Sequence, residues 1–145
     1  MRLELTRRAD YAVRASLALA RSTAGLRSGR ALADETAIPP RFVAQVMGDL
    51  VAAGLVEART GRAGGYRLAR SPDAITILAV VEAVEGDARR RTCVLRAMPC
   101  SRDGVCEVHE VFSRAQDALL EQLAGASLAS VVGGSMGGPS GRPDT

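Results

Sequence analysis

The sequence predicts a mostly helical fold carrying one small β-hairpin and a long helix near its C-terminal end. Three observations predict it. Apolar residues recur at helical spacing over residues 6–22, 41–53 and 107–123. Two short extended runs flank a glycine-rich connection of five residues at 60–64. Glycine and proline punctuate the chain between these stretches. The 145 residues fit one compact domain, or one domain with an appendage.

Thr6 can cap the first helix, which reaches about residue 22, because its hydroxyl can accept from an orphan amide of the first turn. On that helix Tyr11, Ala15, Ala18 and Leu19 share a face, with Val13 and Leu17 beside them. Residues 22–29 are polar and glycine-bearing, hence a loop, and 30–36 read as a short second helix. Ala37-Ile38-Pro39-Pro40 must break it, since proline cannot donate to a helix and disfavours helical geometry in the residue before it. Residues 41–53 form the third helix, with Gly54 just past its end. Its apolar stripe is Phe42, Val43, Val46, Met47 and Leu50; its other side shows Arg41, Gln45, Gly48 and Ala52.

Leu55-Val56-Glu57-Ala58-Arg59 and Gly65-Tyr66-Arg67-Leu68-Ala69 pair as a hairpin with an arginine- and glycine-rich tip, closed by Ser71-Pro72-Asp73. Thr76 begins a fourth helix that runs to about Glu85 and stops at Gly86. Residues 89–106 contain Pro99 and Gly104 and read as an ordered loop. The helix over 107–123 carries Val108, Phe112, Ala115, Leu119 and Leu123 along one stripe, suited to a core or to a partner-facing seam. Residues 127–132 form a last turn, and the Gly/Ser/Pro composition of 133–145 predicts disorder. In that order a helix, a short helix, a tight break, a further helix and a hairpin make a winged helix-turn-helix over 1–72. Residues 73–132 supply a loop and a long helix.

Charge supports duplex DNA as the partner. Residues 1–70 hold 12 arginines against 6 acidic groups, and 71–145 hold 7 against 10. A basic front half and an acidic back half suit a molecule that meets a polyanion with one end. A third helix about 20 Å long fits the major groove, which admits one helix. Arg59 and Arg62, set among glycines, can approach the backbone or the minor groove. Two tyrosines, two phenylalanines and no tryptophan argue against single-strand stacking. No run of 18 apolar residues exists, and the charged start is unlike a signal peptide, so the expectation is cytoplasmic. No phosphate-binding Gly-Lys motif occurs, and no histidine pairs with a nucleophile, so an enzyme is not expected.

The only three cysteines, Cys93, Cys100 and Cys106, stand close together, and the only histidine, His109, follows three residues later. Soft sulfur and imidazole donors gathered at short spacing suit a metal. Arg89, Arg90, Arg91, Arg96 and Arg102 would stabilise the thiolates. Zinc is an alternative, because three cysteines and a histidine make a closed tetrahedral site. A metal-free sensor is another, through a reversible disulfide between Cys100 and Cys106.

The chain resembles the winged-helix iron–sulfur transcription regulators that include IscR and NsrR. The resemblance rests on Met1-Arg2-Leu3, on Asp10-Tyr11-Ala12-Val13-Arg14, on the wing Gly61-Arg62-Ala63-Gly64-Gly65-Tyr66 and on the three-cysteine segment. It spans about residues 1–132. It implies a homodimer, crossing through the long helix, with one cluster per subunit setting affinity for a palindromic operator. The regulator would be a repressor, or a dual regulator, responding to redox state, nitric oxide or iron–sulfur status. Matched positions assign Arg41 and Gln45 to DNA contacts, and put Thr60, between Arg59 and Arg62, where IscR has a wing arginine. Ala44 stands where IscR carries an acidic residue, so the operator sequence should differ.

The first cysteine gap is six residues here, where family members often have five. The family also divides over the fourth ligand. His109 matches the histidine of members with a two-iron cluster, and Asp10 of the partner subunit matches the ligand of members with a four-iron cluster. His109 is preferred, because it lies about one helical turn after Cys106. The plainer readings are a solvated histidine and a carboxylate held by the helix dipole.

Overall fold

The structure is a computed structural model that describes residues 3–22, 25–88 and 107–134. Within them the helices are α1 (Arg7–Arg21), α2 (Gly29–Thr36), α3 (Pro40–Ala52), α4 (Ile77–Glu85), α5 (His109–Gly125) and α6 (Leu128–Gly134). Strands β1 (Val56–Arg59) and β2 (Gly65–Leu68) form the antiparallel hairpin, and Pro72–Ala74 is a single 3-10 turn. The mostly helical fold with a wing is therefore as the sequence predicts. No helix is long and apolar enough to cross a membrane among the described residues.

Side-chain caps fix where helices start. Thr6 Oγ1 accepts from the Ala9 amide (3.2 Å), Ser28 Oγ from Ala31 (3.1 Å) and Thr76 Oγ1 from Ala79 (3.0 Å). Because Ser28 caps, α2 begins at Gly29, one residue earlier than its apolar pattern suggests. Pro40 opens α3 rather than preceding it, since a first-turn residue needs no amide. Between α2 and α3, Ala37 takes the left-handed conformation (φ 57°) that the sharp turn demands.

Helix α1 is the hub. It packs against α2, α3, α4, α6 and β2. Its deepest residues are Ala9, Ala12, Ala15, Ser16, Ala18 and Leu19, whereas Tyr11, Val13 and Leu17 are half-buried. Tyr11 shares the face of Ala15, Ala18 and Leu19 but is less deeply placed, because a helix surrounded on several sides favours small residues where neighbours approach closely. Around it, Leu32, Ile38, Met47, Leu50 and Ile75 are almost wholly buried.

The same core continues past residue 72. Ile77, Val80, Val81 and Val84 of α4 belong to it, and so does Leu128 of α6, at 0 % exposure. The chain returns after α5 to clamp the start of α4. The Ile77 amide donates to the Ala126 carbonyl, and the Leu128 amide to the Ile75 carbonyl, both at 2.9 Å. Helix α6 reaches Gly134, two residues into the stretch whose composition predicts disorder; residues 135–145 lie outside the described residues.

Helix α5 contrasts with the rest. Seventeen residues long, it has no buried residue, and Val111 is 68 % exposed.

Candidate nucleic-acid interface and cysteine segment

Helix α3 divides into two faces. Val43, Val46, Met47 and Leu50 are buried against the core, while Arg41, Ala44, Gln45, Gly48, Val51 and Ala52 are exposed. The sequence places this division correctly, with Phe42 half-buried at the edge. The Arg41 guanidinium lies over the Phe42 ring, 4.8 Å from its centroid, a cation–π contact that steadies it without neutralising it. Helix α3 is also tied to α1, where Arg8 holds Asp49 at 2.5 Å.

The wing is better anchored than a two-stranded hairpin. Val56 to Arg59 pair with Leu68 to Gly65 in register. Arg27 adds a further rung, exchanging hydrogen bonds with Tyr66: its amide donates at 2.8 Å and its carbonyl accepts at 2.7 Å. Two glycines permit this. A β-carbon at Gly65 would lie 2.5 Å from the Arg27 carbonyl oxygen, and one at Gly64 would lie 2.2 Å from that of Arg59. In the sequence Arg27 falls in the loop over 22–29. The signal that could reveal it is the Gly-Gly-Tyr run, which marks a close backbone approach.

Ion pairing separates the arginines. Arg67 is matched by Glu57 across the hairpin at 2.7 Å, and Arg27 by Glu35. Arg59, Arg62 and Arg41 form no ion pair among the described residues, and all three are exposed, as is Thr60 at the tip. Such cations keep their full charge for a phosphate. Arg30 has the same character, and it was missed in the sequence. It is exposed near the start of α2, next to Gly29, which lies against the Tyr66 ring of the wing. Charge alone does not single it out; only its place beside the hairpin does.

A second polar cluster braces the turn of the reading head. Arg14 forms a fork with Asp10: Nε donates to Oδ1 at 3.1 Å, and Nη2 donates to Oδ2. Its Nη1 donates to the Thr36 carbonyl at 3.0 Å, satisfying the end of α2 just before the Ala37 turn. Donating to the Asp10 carboxylate holds the Arg14 guanidinium above the usual arginine range. Beside Asp10 the surface forms an open depression lined by Glu4, Leu5 and Arg7.

Cys93, Cys100 and Cys106, with the arginines at 89, 90, 91, 96 and 102, lie outside the described residues. Among the described residues no three His, Cys, Asp or Glu side chains are gathered as a metal site. His109 is the first residue of α5 and exposed, with Nε2 3.3 Å from Ser113 Oγ. The neighbouring carboxylate, Glu110, is paired with Arg114 at 2.5 Å. Both oxygens of Asp10 are engaged by Arg14. By donor chemistry, three thiolates and an imidazole fit an iron–sulfur cluster or zinc. Asp10 would have to give up its fork to serve.

Comparison with known proteins gives a consistent result. The family model for Rrf2, described as an iron-dependent transcriptional regulator, matches residues 5–134. A Mycobacterium tuberculosis protein, provisionally named an HTH-type transcriptional regulator, is 31% identical over 138 residues, covering 92% of this chain and 84% of that one. Among solved structures, CymR, the global cysteine regulator of B. subtilis, superposes with a TM-score of 0.78 at 25% identity, covering 91% of this chain and 98% of that one. IscR of T. potens gives a TM-score of 0.76 at 23% identity, covering 92% and 88%, a likeness of fold.

Proposed function

Because the chain belongs to the Rrf2 family of transcriptional regulators, we propose that it binds a palindromic operator as a homodimer, under the control of an iron–sulfur cluster. The family and its relatives are transcriptional regulators, not enzymes, and DNA binding is their common activity. The finer reading is a cytoplasmic repressor sensing redox state, nitric oxide or iron–sulfur status. The observation that carries the DNA half is the exposed face of α3 next to a wing whose tip arginines are unpaired, whereas Arg67 nearby is neutralised. Arg41 and Gln45 would meet base edges, and Arg59, Thr60 and Arg62 the backbone.

The cysteine half rests on the donor set. Cys93, Cys100, Cys106 and His109 would hold the cluster, with two irons preferred over four. His109 is supported over Asp10 because Asp10 is committed to Arg14, which braces the α2–α3 turn. When bound, the cluster supplies a centre reactive toward oxidants and nitric oxide. The chain's own residues offer the coupling. Glu85, the last residue of α4 before the cysteine segment, accepts a hydrogen bond from the Thr6 hydroxyl at the start of α1. At the second residue of α1, Arg8 holds Asp49 of α3. A shift of the segment can thus tilt α3, and two reading helices must meet successive grooves together. Coupling of about 1–3 kcal/mol gives a five- to 150-fold change in affinity.

The dimer is supported by α5, none of whose residues is fully buried within one chain and whose Val111 is 68 % exposed. Zinc, or thiols alone, remain the rival means of control, and the same donor set suits zinc. Iron, sulfide and zinc contents of anaerobically purified protein, with its absorption spectrum, separate the readings. Iron and sulfide with charge-transfer bands are expected; stoichiometric zinc in a colourless protein overturns the cluster. In His109→Ala cluster loss is expected, and in Asp10→Ala retention; the reverse pattern moves the fourth ligand to Asp10.

A further inference from the structure

We infer that Gly48 is a specificity-determining residue of the DNA interface, the point at which α3 comes closest to the duplex. The inference rests on the DNA-binding reading above and deepens it. Gly48 lies inside α3, where only proline is less favourable to the helix than glycine. At Gly54, with a φ of 74°, and at Gly64 and Gly65, which sit against backbone oxygens, the reason for a glycine is visible; Gly125, Gly133 and Gly134 are as open as Gly48, but they stand at the C-terminal ends of α5 and α6 rather than inside a helix. Gly48 has neither reason. It lies within regular helix, and a β-carbon there would meet nothing within 4 Å. No neighbour in this chain forbids a side chain, so the surface that does so is outside the chain.

Its position says which surface. Gly48 is exposed, on the face that carries Arg41 and Gln45, about one turn beyond Gln45. Ala44, also exposed, adds only a methyl to this face. A side chain at 48 would stand between the helix and the floor or wall of the major groove. It would prop α3 outward and shorten the reach of Arg41 and Gln45 to base edges. Hydrogen bonds to bases lose strength steeply over a fraction of an ångström, whereas phosphate attraction does not. Gly48 therefore governs sequence-specific binding far more than general attraction to DNA.

The test uses full-length protein and duplexes that the wild type selects from a random 30-base-pair pool. Affinities of wild type and Gly48→Ala are measured for a selected duplex, and for a scrambled one at low salt. Thermal melting is followed in parallel. Gly48→Ala is expected to melt at higher temperature, because alanine is the better helix former. It is expected to lose at least tenfold in affinity for the selected duplex, yet stay within twofold for the scrambled one. A variant that binds the selected duplex as the wild type does overturns the inference while leaving DNA binding intact. Equal losses on both duplexes also overturn it, since they indicate general weakening. A wild type that selects no sequence removes the DNA reading itself, and this inference with it.

Discussion

Helices α3 and α5 are both amphipathic, yet they are stabilised by different things. The 13 residues of α3 bury Val43, Val46, Met47 and Leu50 in the core, leaving a polar or small face outward. None of the 17 residues of α5 is fully buried within the chain; Phe112, Leu119, Leu120 and Leu123 are half-buried, Leu123 against the core, while Val111 is exposed. Helices in proteins draw most of their stability from packing an apolar face, not from propensity alone. The head is thus complete in one chain, while the long helix leaves apolar surface such as Val111 exposed, the surface the proposed dimer would cover. That division suits a regulator: the part that touches DNA stays rigid, and the relation between two such parts can change.

The largest expected effect breaks the rigid side. Met47→Ala removes a side chain at 0 % exposure and should cost about 2–5 kcal/mol in a denaturant or thermal unfolding series. A cost below about 1 kcal/mol would mean that α3 is not held as described. The α5 side is tested by Val111→Asp combined with Leu119→Asp. Sedimentation should report half the wild-type mass, while circular dichroism keeps the helical signal of the head. Unchanged mass would remove α5 from the interface. The smallest effect sharpens the α3 side. Ala37 has its φ at 57°, a conformation that costs a residue with a β-carbon about 1–2 kcal/mol. Ala37→Gly should therefore raise stability by about 1 kcal/mol, and a loss would show that the Ala37 methyl matters more than its strain.

Much of the reading head is legible in the sequence because its signals are local. Thr6, Ser28 and Thr76 cap helices through contacts three residues away. Pro39 and Pro40 punctuate the helix-turn-helix, and the two faces of α3 follow from spacing of 3.6. Distant contacts were not legible. Arg27 pairs with Tyr66 across nearly forty positions of sequence, and nothing around residue 27 announces it. The return of Leu128 to Ile75 is of the same kind, as is the choice of small residues for the centre of α1. The metal donors were read from composition and spacing alone, and of the four only His109 lies within the described residues.

By itself, then, the sequence determined the order of elements, the inward and outward faces of α3, the basic wing and a concentration of soft donors between α4 and α5. These are consequences of side-chain chemistry acting over a few residues. The tertiary structure decided which arginines keep their charge, since pairing depends on what folds opposite: Glu57 across the hairpin neutralises Arg67 and leaves Arg59 and Arg62 free of any ion pair among the described residues. It also decided that Asp10 braces a turn through Arg14, and that α5 has no core of its own. Each depends on groups far apart in the chain being brought within a few ångströms, a relation that no local pattern encodes.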